Sequence, residues 1–322
     1  MVFSLSKYIV PLKPMKTYFA FSFFLISFIA FGQQDRVSKD LKVNAHINGT
    51  LLQPKTPTEN LVIIIPGSGP TDRNGNQQLT RSDALKKLAE ALVDQNIASF
   101  RYDKKVLTLL NENALQEEKL RFEEFIEDAI TTVTFFRKKS SYRNIYIVGH
   151  SQGSLVGMIA AQQSDVQGFV SLAGAGQSID QTILSQIALQ MPRLEESTKN
   201  AFNTLKEKGK VKDYNPALES ILRPDTQAFM SSWMNYDPTE EIKKIKVPVL
   251  IIAGSKNIQA SEKEFKSLQA AKPDAKAVLI DKMNHVLRRI EGTDLENSKS
   301  YNEPLRPIMP ELIDAITAFI NG

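Results

Sequence analysis

One pentapeptide of the sequence, Gly149-His-Ser-Gln-Gly153, has the spacing of a serine nucleophile on a sharp turn. It directly follows the β-branched run Asn144-Ile-Tyr-Ile-Val148 and precedes an apolar helical stretch at 155–163. A strand, a tight turn and a helix in this order strain the serine backbone and expose the hydroxyl above the sheet. The free N–H groups of the helix N-terminus favour negative charge at that place. The pattern therefore predicts that Ser151 is a nucleophile in acyl transfer.

A serine hydroxyl needs a general base, and His285 is the one histidine that follows Ser151 along the chain. It comes after the last predicted strand, at 277–280, and the order serine, acid, histidine is typical of a triad on a parallel sheet. We predict that His285 takes the proton of Ser151. His150, inside the pentapeptide, and His46, which alternates along a predicted N-terminal strand, are interpreted as structural.

The negative oxygen of a tetrahedral intermediate needs two hydrogen-bond donors. The first is expected to be the backbone N–H of Gln152, the residue after the nucleophile. The second is expected from the loop Pro66-Gly-Ser-Gly-Pro70, which directly follows the apolar run at 61–65. Within that loop, the N–H of Ser68 is the candidate.

The elements that carry these residues alternate between strands and helices, which is typical of an α/β fold: a mostly parallel central sheet with helices on both faces. Strands are predicted at 61–65, 97–102, 144–148, 166–172, 247–253 and 277–280, and helices at 82–95, 122–139, 155–163 and 311–320. The alternation breaks at about 177–233, a polar and helical stretch. We interpret it as a lid over the pocket, because ligands bind at the carboxyl ends of parallel strands; the alternative is a surface excursion.

Composition excludes several classes of protein and of site. The chain has 322 residues and no cysteine, which excludes disulfides, zinc–thiolate sites and a cysteine nucleophile. With three histidines, a metal centre is not expected, and no cofactor is predicted. Lys7, Lys13 and Lys16 supply three of the formal net charge of +4, so the rest of the chain is nearly neutral. A nearly neutral body gives no electrostatic reason to expect nucleic acid, which leaves a small molecule as the expected partner.

The first 32 residues are interpreted as a signal peptide. Lys16 precedes the apolar stretch Tyr18-Phe-Ala-Phe-Ser-Phe-Phe-Leu-Ile-Ser-Phe-Ile-Ala-Phe31, which is shorter than the ~20 residues of a membrane span. Small residues follow where a signal peptidase cuts. We expect cleavage after Gly32, an exported protein (periplasmic or secreted) without a stable membrane span, and one domain over 33–322. An uncleaved anchor is the alternative, and Met15 is a possible start.

Five stretches together resemble the esterase or serine aminopeptidase-like branch of the α/β-hydrolase superfamily, from about Leu41 to the C-terminus. They are Gly67-Ser-Gly-Pro-Thr-Asp-Arg73, Arg101-Tyr-Asp-Lys104, Gly149-His-Ser-Gln-Gly153, Tyr236-Asp-Pro238 and Met283-Asn-His-Val-Leu287. The resemblance implies an α/β-hydrolase fold, in which the helical stretch at 177–233 would be an inserted lid. It also implies hydrolysis of carboxylic esters through an acyl-enzyme.

The chain departs from the family pattern at three places. Asn74 stands where the family tends to have Asp, Lys105-Val106 stands where it has Arg-Gly, and Asn257 stands where it has the triad aspartate. The third departure bears on catalysis, because the acid fixes the histidine tautomer and stabilises the imidazolium. In serine proteases the same change lowers turnover by ~10⁴, which is about 5 kcal/mol of barrier.

Three functional hypotheses follow from these residues. The first is an esterase with Ser151, His285 and a weak third member, Asn257; a displaced carboxylate is the alternative orienting group. The candidate carboxylates are Asp237, Glu262, Glu264 and Asp281. The second is a degenerate hydrolase that binds a small molecule or partner with little chemistry. The third is a short-peptide peptidase, whose substrate amine would need a carboxylate; the candidates in the lid segment are Glu195, Glu196 and Glu219.

Overall fold

The predicted strands assemble into one eight-stranded sheet in the computed structural model, which describes residues 36–322. The strands are β1 (Arg36–Lys42), β2 (Asn48–Pro54), β3 (Asn60–Ile65), β4 (Ala98–Tyr102), β5 (Asn144–His150), β6 (Gly168–Leu172), β7 (Val249–Gly254) and β8 (Lys276–Ile280). Their spatial order is β1-β2-β4-β3-β5-β6-β7-β8. β2 pairs antiparallel with β1 and with β4, and every other pair of neighbours is parallel. The chain therefore has the α/β-hydrolase fold.

Helices connect the strands. They are α1 (Ala84–Asp94), α2 (Lys105–Asn111), α3 (Glu123–Lys139), α4 (Gln152–Gln163), α5 (Ile179–Gln190), α6 (Glu195–Lys208), α7 (Glu219–Leu222), α8 (Pro224–Trp233), α9 (Pro238–Lys243), α10 (Glu262–Ala271), α11 (Asp294–Ser300) and α12 (Pro310–Asn321). Short 3-10 turns lie at Glu117–Lys119, Pro192–Leu194 and Pro216–Leu218. In residues 36–322 there is no helix with the length and apolar character that a membrane crossing requires.

Strand β3 shows why the run at 61–65 is apolar without interruption. Its side chains alternate between two hydrophobic cores, one on each face of the sheet. Leu61 and Ile63 face a core shared with α3, α4, α9 and α10, and Val62 and Ile64 face a core shared with α1 and α12. Because both faces are covered by helices, each position of the strand has to be apolar.

The segment between β6 and β7 is helical and has a hydrophobic core of its own. Helices α5 to α8 occupy the stretch for which the sequence predicted a lid. Their buried residues form a third cluster, which includes Phe202, Leu205 and Leu218. Trp233, at the end of α8, stacks on Phe122 of the main body with ring centroids 5.6 Å apart. The insertion is therefore anchored to the main body by aromatic contact at its C-terminal end.

Two expectations about local structure need correction. His46 does not alternate along a strand: it lies in the turn that joins β1 to β2, where the side chain of Asn44 accepts from its backbone N–H. Helix α4 starts at Gln152 and not at 155, so Ser151 is the residue immediately before the helix. The predicted signal peptide, the cleavage position after Gly32 and the possible start at Met15 lie outside the described residues.

Candidate active site

The turn between β5 and α4 places Ser151 in a strained conformation, with φ 55° and ψ −121°. Such a backbone costs ~1–3 kcal/mol and persists only where its surroundings enforce it. The flanking glycines are required by close packing. A Cβ on Gly149 would lie 2.1 Å from the carbonyl oxygen of Gly153, and one on Gly153 would lie 2.4 Å from that of Ile65. The turn therefore presents the serine at the carboxyl edge of the sheet.

His285 lies in the loop after β8, and its imidazole is held by Asn257. The Nδ1 atom of His285 is 3.1 Å from Oδ1 of Asn257. That same oxygen accepts the backbone N–H groups of Gln259 and Ala260, at 3.0 and 3.1 Å. Two N–H donors need an acceptor, so they orient the amide with its oxygen toward the ring and its NH₂ away. His285 must then donate from Nδ1, which leaves Nε2 as the acceptor that a general base requires.

The electrostatics of His285 differ from those of a triad with a carboxylate. Burial and the neighbouring His150 ring hold the pKa of His285 well below its ordinary value of 6.5. The Nδ2 atom of Asn257 is buried and has no hydrogen-bond partner within residues 36–322. The imidazole is therefore neutral at physiological pH, and an imidazolium formed during a reaction would lack a carboxylate partner.

The proposed displaced acids do not reach His285. Asp237 caps α9 by accepting from the N–H of Thr239, and Asp281 accepts from the hydroxyl of Ser255.

The two candidate glutamates are also bound elsewhere. Glu264 accepts from the N–H of Ser261 at the start of α10, and Glu262 pairs with Lys266. No carboxylate in residues 36–322 is hydrogen-bonded to His285, and the side chain that contacts its Nδ1 is Asn257.

The loop around His285 is fixed by buried polar contacts. The side chain of Asn284 is fully buried and donates to Asn297 and Ser300, at 2.8 and 2.7 Å. Its Oδ1 accepts the backbone N–H of Arg288. His150 adds a further contact, because its Nε2 donates to the carbonyl oxygen of His285 at 2.9 Å. His150 is thus a hydrogen-bonded support of the loop.

The loop after β3 approaches Ser151 closely. A Cβ on Gly67 would lie 3.2 Å from Cβ of Ser151. Neither the N–H of Ser68 nor the N–H of Gln152 donates to another group within the described part of the chain. Arg73, at the end of the loop, is bound to Asp103 through its backbone N–H at 2.8 Å and through its guanidinium. The two predicted oxyanion donors are therefore available, on a loop that is tied to the end of β4.

Lys104 belongs to this site, although no role was predicted for it from the sequence. It follows β4 and is 5% exposed. Its Nζ donates to the carbonyl oxygen of Gly67 at 3.0 Å and to Oε1 of Gln152 at 2.6 Å, and it lies 4.1 Å from the ring centroid of Phe125. Burial lowers the pKa of Lys104 to about 7. The signal in the sequence was a lysine at the carboxyl end of a buried strand, inside one of the matched motifs.

A cavity of about 410 Å³ lies beside the serine turn and the His285 loop. Ser151, His285, Ser68 and Gln152 line it, together with residues of α5 and Trp233 of the insertion. Among residues 36–322, no hydrogen bond joins Ser151 Oγ to the His285 ring; such contacts are often long before substrate binds. No Asp, Glu, Lys or Arg of the described residues lines the cavity. Its wall is therefore uncharged, with apolar side chains, hydroxyls and amides.

Comparison with known proteins shows the family to which the chain belongs. The model of the family described as serine aminopeptidase, S33, matches residues 79–289, which include Ser151, Asn257 and His285. The chain is 27% identical over 261 residues to esterase EstD of Thermotoga maritima, an alignment that covers 79% of this chain and 61% of EstD. The chain thus spans less than two thirds of the length of that relative.

Solved structures of low sequence identity share the fold. Est1E from Butyrivibrio proteoclasticus is similar with a TM-score of 0.56 at 17% identity, over 88% of this chain and 97% of Est1E. Proline iminopeptidase from Mycobacterium smegmatis is similar with a TM-score of 0.53 at 12% identity, over 88% of this chain and 98% of that enzyme. From the family match and the fold, the chain belongs to the serine aminopeptidase family of the α/β-hydrolase superfamily.

Proposed function

We propose that the protein is a serine esterase that hydrolyses small carboxylic esters through an acyl-enzyme. Ser151 attacks the ester carbonyl, His285 takes the proton and returns it to the leaving alcohol, and Asn257 orients the imidazole. The N–H groups of Gln152 and Ser68 bind the oxyanion. The main support is that a strained serine and a histidine with a free Nε2 line one cavity.

The uncharged wall of the cavity favours an ester over a peptide with a free amino terminus. An aminopeptidase needs an acidic group to bind the ammonium of its substrate, since a buried charge without a partner is costly. Glu195, Glu196 and Glu219 are not among the residues that line the cavity. Glu219 accepts instead from the hydroxyl of Tyr214. A neutral ester needs no such group.

A degenerate hydrolase remains the second candidate, because an amide stands at the position of the triad acid. In that case the cavity would bind a small neutral molecule and turn it over slowly or not at all. The orientation of Asn257 supports the esterase over this candidate, since the amide oxygen already selects the productive histidine tautomer.

The test is hydrolysis of p-nitrophenyl acetate and butyrate by the purified protein and by the Ser151→Ala variant. We expect turnover by the native chain and a loss of at least about 10³-fold in the variant, because the nucleophile is removed. A fluorophosphonate probe should label the native chain at Ser151. Equal hydrolysis by both proteins, or no labelling of Ser151, would favour the degenerate candidate.

We also propose that the protein is exported, on the sequence of residues 1–32 alone. N-terminal sequencing of the protein from the cell envelope or the medium should begin at Gln33. An intact N-terminus on protein confined to the cytoplasm would contradict export.

A further inference from the structure

Lys104 occupies a place where a lysine needs an explanation. Lysine is among the residues that are almost never fully buried without a partner, because desolvation of its amine is costly. Within residues 36–322, no carboxylate lies within ion-pair distance of Lys104. The nearby Asp128 acts on it only at longer range. Its two hydrogen-bond acceptors adjoin the proposed oxyanion donors: Gly67 O belongs to the same peptide as the Ser68 N–H, and Oε1 belongs to the side chain of Gln152.

The contact with Gly67 determines the direction of the Ser68 N–H. A trans peptide is planar, so its C=O and its N–H point in opposite directions. When Nζ of Lys104 holds the carbonyl oxygen of Gly67, the N–H of Ser68 in the same peptide must point away from the lysine. A rotated peptide would turn that carbonyl toward the cavity, where it would repel an oxyanion.

The contact with Gln152 acts on the second donor. Gln152 is the first residue of α4, and its backbone N–H has no intrahelical partner. The side chain of Gln152 is buried and has Lys104 as its hydrogen-bond donor at 2.6 Å. One amine thus connects the loop after β3 to the start of α4, and its hydrogens suffice for both acceptors.

We propose that Lys104 is a positioning residue that ties the two donors of the oxyanion hole, Ser68 N–H and Gln152 N–H, to one another. This inference rests on the proposed esterase function, since it assigns a role in that reaction. Lys104 does not contact the substrate; it keeps two peptide groups in the orientation that the transition state requires. Preorganised donors need no rearrangement when the charge develops, which is why their loss appears in kcat.

The experiment compares kcat and KM for p-nitrophenyl acetate in the native chain, Lys104→Met, Gln152→Met and the double variant. Removal of one oxyanion donor outright costs about 10²–10³ in kcat. Misorientation of the donors should cost about 10- to 100-fold in kcat for Lys104→Met, with KM changed less than about threefold. Both single changes remove the same hydrogen bond between Lys104 and Gln152. The fold-loss in kcat of the double variant should therefore be smaller than the product of the fold-losses of the two single variants.

Lys105→Met is the matched control. Lys105 is adjacent in sequence, is less buried, and pairs with Glu124; it makes no hydrogen bond to Gly67 or Gln152 within residues 36–322. We expect its kcat to stay within about twofold of the native value. Thermal unfolding of each variant reports the folded fraction, so a lower rate that only follows a lower folded fraction counts against the proposal.

The outcomes separate the inference from the proposed function. If the native chain hydrolyses the ester and Lys104→Met keeps its kcat, or changes only KM, the inference is wrong and the esterase stands. If the native chain neither hydrolyses esters nor reacts with a fluorophosphonate, both are wrong. If Lys104→Met does not fold, Gln152→Met alone decides, since an unchanged kcat there contradicts the tie.

Discussion

At the scale of single residues, the proposed active site combines a serine on a strained turn with an amide at the position predicted for the triad acid. Asn257 keeps the geometry of an acid and loses its charge: its oxygen accepts from Gln259, Ala260 and His285. When the triad aspartate of a serine protease is changed to asparagine, turnover falls partly because the histidine adopts the wrong tautomer. Here the two backbone N–H groups prevent that loss, so we expect the missing charge to be the main deficit.

Asn257→Asp should therefore raise kcat for an ester substrate by about 10- to 100-fold, less than the ~10⁴ lost when the tautomer is also wrong. The new carboxylate would accept the same three donors and would stabilise the imidazolium. Steady-state kinetics on p-nitrophenyl acetate measures the gain, with Asn257→Ala as the control that removes the acceptor. A lower kcat in Asn257→Asp than in the native chain would show that the amide is itself functional.

The pH dependence of kcat/KM should report the protonation of His285 beside Asn257. A general base acts when it is neutral, and burial holds the pKa of His285 well below 6.5. The rate should therefore stay constant as the pH falls through 6.5 and decline only at lower pH. In Asn257→Asp the decline should move to higher pH, since a nearby negative charge raises the pKa of an imidazole. A decline of the native rate centred above 6.5 would contradict this expectation.

At the scale of elements, the strand–turn–helix unit of β5 and α4 has to leave room for the backbone at the end of β3. The carbonyl groups of Ile65 and Pro66, at the end of β3, occupy the space in which a side chain at position 153 would lie. The turn therefore depends on close contact between the first turn of α4 and the end of the neighbouring strand β3. It is a property of the packed sheet and not of the pentapeptide alone.

Gly153→Ala should destabilise the protein by ~1–3 kcal/mol and abolish ester hydrolysis, because the new Cβ would lie 2.4 Å from a backbone oxygen that cannot move freely. Urea unfolding and the esterase assay measure the two effects. Ser164→Ala is the control at the other end of α4. Its hydroxyl is buried without a partner within residues 36–322, so its removal should have little effect. A Gly153→Ala variant with native stability would contradict the packing argument.

At the scale of the whole molecule, the buried apolar residues form three separate hydrophobic clusters. Two lie on opposite faces of the sheet, and the third lies inside the insertion α5 to α8. Since the insertion contributes residues of α5 and Trp233 to the cavity wall, it is in a position to select substrates. We propose on this ground that the insertion is a lid.

Leu205→Ala should loosen the insertion and leave the sheet intact. Leu205 is fully buried in the third cluster, and such a truncation costs ~2–5 kcal/mol. We expect a higher KM for p-nitrophenyl butyrate and faster proteolysis between residues 177 and 233, with Ser151 still labelled by a fluorophosphonate. Leu189→Ala, on the same insertion but 85% exposed, is the control. Unchanged KM in Leu205→Ala would contradict a lid.

The sequence by itself determined the fold class and the main candidates. A strand with both faces covered must be apolar throughout, and an amphipathic helix must show a helical period, so 61–65 and 82–95 were recognisable. The pentapeptide around Ser151, the position of His285 after the last strand and the helical stretch at 177–233 follow the same local logic. These are patterns of neighbours along the chain, which a sequence displays directly.

The tertiary structure alone decided which groups meet across the chain. The orientation of Asn257 depends on the N–H groups of Gln259 and Ala260 in a turn. The periodicity of apolar residues in the sequence does not predict the geometry of that turn. The place of Lys104 depends on β4 lying next to β3, so that an amine reaches a carbonyl 37 residues away. Contacts of this kind arise from the order of strands in the sheet. That order is settled by how the whole core packs and not by any one segment.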